Sequence, residues 1–237
     1  MTNSVKHRLK LKILGINTSA RGKDSNSYYL MKKAFDSIKD KDIEKEIIVA
    51  SELNLMPCEH HYSIHPKMCV HPCLITKNIK KDEMSRIYNG ILNSDIVIFS
   101  SPIYWGNQSY LMQLIVERLT SLENANAVHG QIVIKNKIAG LMVVGHEDGY
   151  QHVVGNLMNF LTTLGMIFPP HAYAAWVGEA DENTQFDRHK LENDEKIKFM
   201  YVDVLENTIN FARQILVCPS CGRHLDYEHQ FKRKINI

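Results

Sequence analysis

Apolar and polar positions along the chain sort into short continuous apolar runs and longer stretches with helical spacing. Residues 8–16 form the first short run, closing on Gly15-Ile16-Asn17 as a buried strand does. A loop of Ser, Gly, Asn and Arg occupies 17–27. Leu30, Ala34, Phe35 and Ile38 then recur at helical spacing, with Ser25 or Ser27 as the N-cap. A second strand is expected over 46–50. Residues 54–81 have no clean period and read as a long irregular loop. Met84, Ile87, Tyr88, Ile91 and Leu92 give a full helical stripe, so a helix starts near Asp82. Residues 95–100 are the clearest strand, and their continuous apolar run implies burial on both faces. A helix over 109–122 presents Leu111, Leu114, Ile115, Leu119 and Leu122. Residues 138–145 are a further strand, and the helix marked by Val153, Val154, Leu157, Leu161 and Leu164 stops at Gly165. A last strand is expected over 172–177, a polar loop over 179–195, and a long helix lined by Ile197, Tyr201, Val204, Thr208, Ala212 and Ile215.

Strands alternating with helices imply a parallel sheet, because each parallel step needs a crossover connection. Five such units fit an α/β fold with a doubly wound sheet, whose ligands bind at the carboxyl ends of the strands near the switch point. The one boundary candidate lies near Val217, giving a domain over 1–216 and a Cys-containing tail over 217–237. With a net charge of +2 and no basic stripe, nothing points to nucleic acid. No apolar stretch approaches the roughly 18–20 residues of a membrane span, and no secretory signal is visible, so a cytoplasmic protein is expected. Five cysteines, an odd number, favour thiols or metal ligands over a disulfide framework.

Three loops carry candidate chemistry. After the first strand stands Asn17-Thr18-Ser19-Ala20-Arg21-Gly22-Lys23-Asp24-Ser25-Asn26-Ser27. Hydroxyls and amides ahead of a helix N-terminus suit one phosphate, because backbone N–H groups converge there and the helix dipole favours an anion. No dinucleotide G-x-G-x-x-G is present. The alternative is a polar loop with an N-cap. After the central strand stands Ser100-Ser101-Pro102-Ile103-Tyr104-Trp105-Gly106-Asn107. Its aromatics could form a platform for a planar heterocycle or could simply be core. After the fourth strand stands Val143-Val144-Gly145-His146-Glu147-Asp148-Gly149-Tyr150.

Ile13-Leu14-Gly15 followed by Ser19-x-Arg21 and Ser25-Asn26-Ser27, together with Ser101-Pro102-Ile103-Tyr104-Trp105-Gly106, resembles the NADPH-dependent FMN reductase and iron–sulfur flavoprotein family, over residues 8–178. The resemblance implies a three-layer flavodoxin-like fold with strand order 2-1-3-4-5. It implies FMN as cofactor, with Ser19, Arg21, Ser25, Asn26 and Ser27 on the phosphate and Pro102, Ile103, Tyr104, Trp105, Gly106 and Asn107 along the isoalloxazine. The family's Pro is Ala20 here. A Gly-rich run contacts the pyrimidine side of the flavin in that family, and Gly145, His146 and Gly149 are the corresponding positions. His146-Glu147-Asp148 replaces small residues; either its charge acts on the flavin potential or these side chains point to water.

The family's iron–sulfur branch carries closely spaced cysteines in the loop after the second strand. This chain has Cys58, His60, His61, His65, Cys69, His71 and Cys73 there, without the C-x2-C steps a [4Fe–4S] cluster would use. Cys218-Pro219-Ser220-Cys221 resembles half of a zinc site, which Cys58, Cys69, Cys73 or a nearby histidine could complete, as could His224 and His229. Free thiols and surface histidines are the alternative. The functional expectation is hydride transfer from NAD(P)H to bound FMN and on to a small-molecule or protein acceptor, with no catalytic triad. The rivals are an electron carrier without nicotinamide chemistry and a zinc-stabilised interaction protein that has lost flavin. The resemblance also implies a homo-oligomer, a dimer or tetramer, which the insert 124–137 could serve.

Overall fold

The computed structural model of the chain describes residues 10–130, 133–134, 136–146, 148–178 and 184–216. Five parallel strands form its centre: β1 (Leu11–Asn17), β2 (Ile43–Val49), β3 (Ile96–Tyr104), β4 (Ile138–Gly145) and β5 (Tyr173–Val177). Their order across the sheet is β2-β1-β3-β4-β5, and all the pairs are parallel. This is the expected doubly wound sheet. A two-residue strand, Asn107–Gln108, folds back antiparallel on the end of β3.

Successive side chains of the central strands enter opposite faces, and both faces are covered, so almost every position is apolar. Leu14, Ile16, Val97, Phe99, Leu141 and Val143 pack on one side beneath α2 (Met84–Leu92), α3 (Tyr110–His129) and α4 (Tyr150–Leu164). Ile13, Ile96, Ile98, Met142 and Val144 pack on the other beneath α1 (Asn26–Ser37) and α6 (Glu195–Ile215). The result is three layers. The helix ends follow local chemistry: Ser25, Ser109 and Asp194 accept N-cap hydrogen bonds, and Gly165 ends α4 in the left-handed region.

Three expectations are corrected. β3 does not stop at Ser100 but runs on to Tyr104, since the fixed φ of Pro102 suits extended backbone and its Cα pairs with Val144. α3 continues past 122 to His129 before Gly130, at φ 65°, closes it. The polar stretch 179–195 holds a helix, α5 (Thr184–Asn193), rather than only loop. The segment 54–81 is irregular as expected, with short helical pieces at His61–Ile64 and Leu74–Asn78.

That segment is pinned by one buried ion pair. Arg118 of α3 donates to both oxygens of Asp82, to Thr76 Oγ1 at 2.7 Å and to the Met56 carbonyl at 2.6 Å. Thr76 and the Met56 amide also donate to Asp82. Burial alone would push Asp82 up, but these hydrogen bonds, led by Arg118, hold its carboxyl below the usual range. Among the described residues no helix is long and apolar enough to cross a membrane. The tail 217–237 lies outside the described residues.

Candidate functional site

The loops after β1, β3 and β4 meet at the carboxyl end of the sheet around one cavity of about 500 Å³. That is a size typical of cofactor and small-molecule sites. Its first wall is Ser19, Arg21, Ser25, Asn26 and Ser27. These stand where α1 begins, so the first backbone N–H groups of the helix have no partner within it. The hydroxyls are pre-ordered. Ser25 Oγ accepts from Tyr28 N at 3.1 Å and from Ser27 Oγ at 3.1 Å, while Asn17 Nδ2 donates to Ser27 Oγ at 3.3 Å. Ser109 ties this loop to β3, donating to the Thr18 carbonyl at 2.8 Å while its own amide donates to Ser101 Oγ at 3.0 Å.

Pro102, Ile103, Tyr104, Trp105 and Gly106 form the second wall. Tyr104 is 43% exposed and Trp105 95% exposed, so the aromatics are an open surface and not core. The turn is tight: Trp105 and Gly106 both take left-handed backbone, at φ 53° and 71°. Gly149 makes the turn possible, because a Cβ there would lie 2.8 Å from the Gly106 Cα. Gly149 and Asn107 therefore stand beside the cavity and support it. Asn107 Oδ1 meets His152 Nε2 at 3.1 Å, and its Nδ2 donates to the Trp105 carbonyl.

Val144, Gly145 and His146 close the third wall. His146 Nε2 lies 2.5 Å from Asp187 Oδ2, and the Asp187 side chain is fully buried. Asp148 turns away to accept from the Gly149 amide. Val144, Asp187 and Arg188 are residues that sequence reasoning missed. Arg188 Nε donates to Asn26 Oδ1 at 2.8 Å, its Nη2 donates to the Ser25 carbonyl at 3.1 Å, and its guanidinium lies over the Tyr29 ring. With its oxygen so occupied, Asn26 has its NH2 left for the cavity. A polar end thus adjoins an aromatic, solvent-open end. The arrangement suits a planar heterocycle that carries a phosphate.

Residues 11–181 match the family described as NADPH-dependent FMN reductase. The chain belongs to that family. Among its relatives is the 8-demethyl-8-aminoriboflavin-5′-phosphate synthase of Streptomyces davaonensis, 32% identical over 145 residues, which are 59% of this chain and 54% of the synthase. The chain thus spans about half the length of that relative. An iron–sulfur flavoprotein of Methanocaldococcus jannaschii is 26% identical over 161 residues, 66% of this chain and 75% of its own. Among solved structures, RosB with the bound intermediate 8-demethyl-8-formylriboflavin-5′-phosphate superposes with a TM-score of 0.69 at 26% identity, covering 86% of this chain and 80% of RosB.

Among the described residues the cysteines gather no such site. Cys58 is half-buried and Cys69 and Cys73 are buried, all as free thiols. Burial, reinforced by the Cys58 and Cys73 thiols, pushes Cys69 up to about 11. Among the described residues no three His, Cys, Asp or Glu side chains are grouped to hold a metal ion. Cys218 and Cys221 lie outside the described residues.

Proposed function

We propose that this protein holds FMN in the three-loop cavity and acts as an NAD(P)H-dependent oxidoreductase, passing electrons to a small-molecule or protein acceptor. The observation that carries the reading is that one cavity joins the hydroxyl-lined start of α1 to the open aromatic turn of Tyr104 and Trp105. Ser19, Arg21, Ser25, Asn26 and Ser27 would take the phosphate; Pro102 to Gly106 would run along the ring. When bound, FMN supplies two-electron hydride chemistry at N5. The protein's part is to position the ring, leave one aromatic-bordered side open to a second planar molecule, and place donors at the ring edge.

The test is an FMN titration followed by flavin fluorescence, then anaerobic rapid mixing of the loaded protein with NADH and with NADPH. Binding followed by bleaching of the visible flavin band is expected. No binding at micromolar FMN would remove the reading; binding without bleaching by either nucleotide would favour an electron carrier. A second reading uses the same pocket, with the flavin as substrate, and is favoured by the 32% identity to a protein named for making a flavin 5′-phosphate. Mass spectrometry of the flavin recovered after incubation separates the two, since only the second alters its mass.

A further inference from the structure

A carboxylate buried away from water is costly unless it is paired and hydrogen-bonded. Asp187 is shut off from solvent, and among the described residues neither of its oxygens has a polar partner apart from the His146 ring. The space it occupies exists because residue 178 is glycine; a Cβ there would sit 2.7 Å from Asp187 Oδ1. His146, by contrast, is 37% exposed and lines the cavity. It sits at the end of β4, one strand beyond β3 and on the far side of it from the anion loop. On the flavin reading above, the heterocyclic end of the nucleotide would fall on that side.

We propose that His146, held by Asp187, touches the ring edge of the bound flavin and provides the positive charge that balances the negative charge gained on reduction. This rests on the flavin reading above. Adding a hydride, two electrons and one proton, to the neutral ring leaves one net negative charge. An imidazolium at the ring edge offsets it, and no bond to the protein forms or breaks. Asp187 is a positioning residue. Its contact with Nε2 fixes the orientation of the imidazole and leaves Nδ1 for the cavity.

The experiment compares the full chain with His146→Gln, Asp187→Asn and the double variant. Dissociation constants are measured for oxidised FMN and for dithionite-reduced FMN, together with the two-electron midpoint potential. In each single variant the preference for reduced over oxidised FMN is expected to fall about tenfold, equivalent to about 30 mV for a two-electron couple. The double variant falls no further than the singles, because the pair acts as a unit. A wild-type preference and potential in His146→Gln overturns the proposal. That variant alters a partly exposed side chain and decides the matter even if Asp187→Asn does not fold. A wild-type chain that binds neither form of FMN overturns the flavin reading itself, a result distinct from a chain that binds both without regard to His146.

Discussion

Asp82 and Asp187 are both closed off from water, and the fold treats them in opposite ways. Asp82 receives Arg118 on both oxygens, the Thr76 hydroxyl and the Met56 amide. Asp187 has one histidine, and that histidine belongs to the cavity wall. A fully satisfied buried charge specifies structure: it fastens the irregular segment 54–81 to α3. A buried charge left with a single, solvent-reaching partner is poorly explained as structure and well explained as part of a site, where stability is traded for electrostatics. The two regions differ in what their partners can do, not in depth.

The largest expected effect tests the first half of that contrast. Arg118→Ala leaves Asp82 buried and uncompensated, and removing one partner of such a pair costs about 3–5 kcal/mol. Urea unfolding should show this loss as a lower midpoint, and a midpoint within error of the wild type would break the assignment. The pH dependence follows from the same contacts. Because the folded state holds Asp82 below its ordinary value of 3.8, its stabilising contribution is complete above that value. It is lost as pH falls through the lower folded value, so wild-type stability should decline below about pH 4, and Asp82→Asn should flatten that part of the curve.

Next in size is the loop between β1 and α1. Ser25→Ala removes the α1 N-cap and should cost about 1 kcal/mol of stability. Asn26→Ala removes the cavity-facing amide together with its Arg188 contact, and should weaken FMN by about tenfold, as loss of a hydrogen bond to a charged group does. Arg21→Ala should also weaken FMN. Unchanged flavin affinity in both Asn26→Ala and Arg21→Ala would separate this wall from phosphate binding and leave Ser25 as a helix cap alone.

These loops were legible because their chemistry is local: a capping serine, a run of hydroxyls, and a proline and glycine around two aromatics can be found without knowing what lies across the sheet. β4 was equally plain, its apolar run from Ile138 to Gly145 being buried at every position. α5 was not legible. Among its described side chains, Asp187, Arg188 and Leu191 make inward contacts, and two of these three are charged rather than part of an apolar stripe. The value of Asp187 and Arg188 arises from positions 146 and 26, far away in the chain. Pairings of that kind leave no trace in spacing. The Arg118–Asp82 pair was missed for the same reason, since α3 reads as apolar and hides one buried arginine within its stripe.

The smallest expected change in stability is the most discriminating. Asp187→Asn keeps the shape of the side chain and removes a buried charge whose one partner, His146, still reaches solvent, so unfolding free energy should move by less than about 1 kcal/mol. Asp82→Asn, the same chemical change at the same depth, should be clearly destabilising, because it spoils hydrogen bonds that Arg118 then lacks. The two variants measured side by side by urea unfolding isolate the partner set as the cause, since burial and substitution are held constant. Equal destabilisation in both would mean that Asp187 holds the fold together much as Asp82 does, and its place beside the cavity would lose its functional meaning.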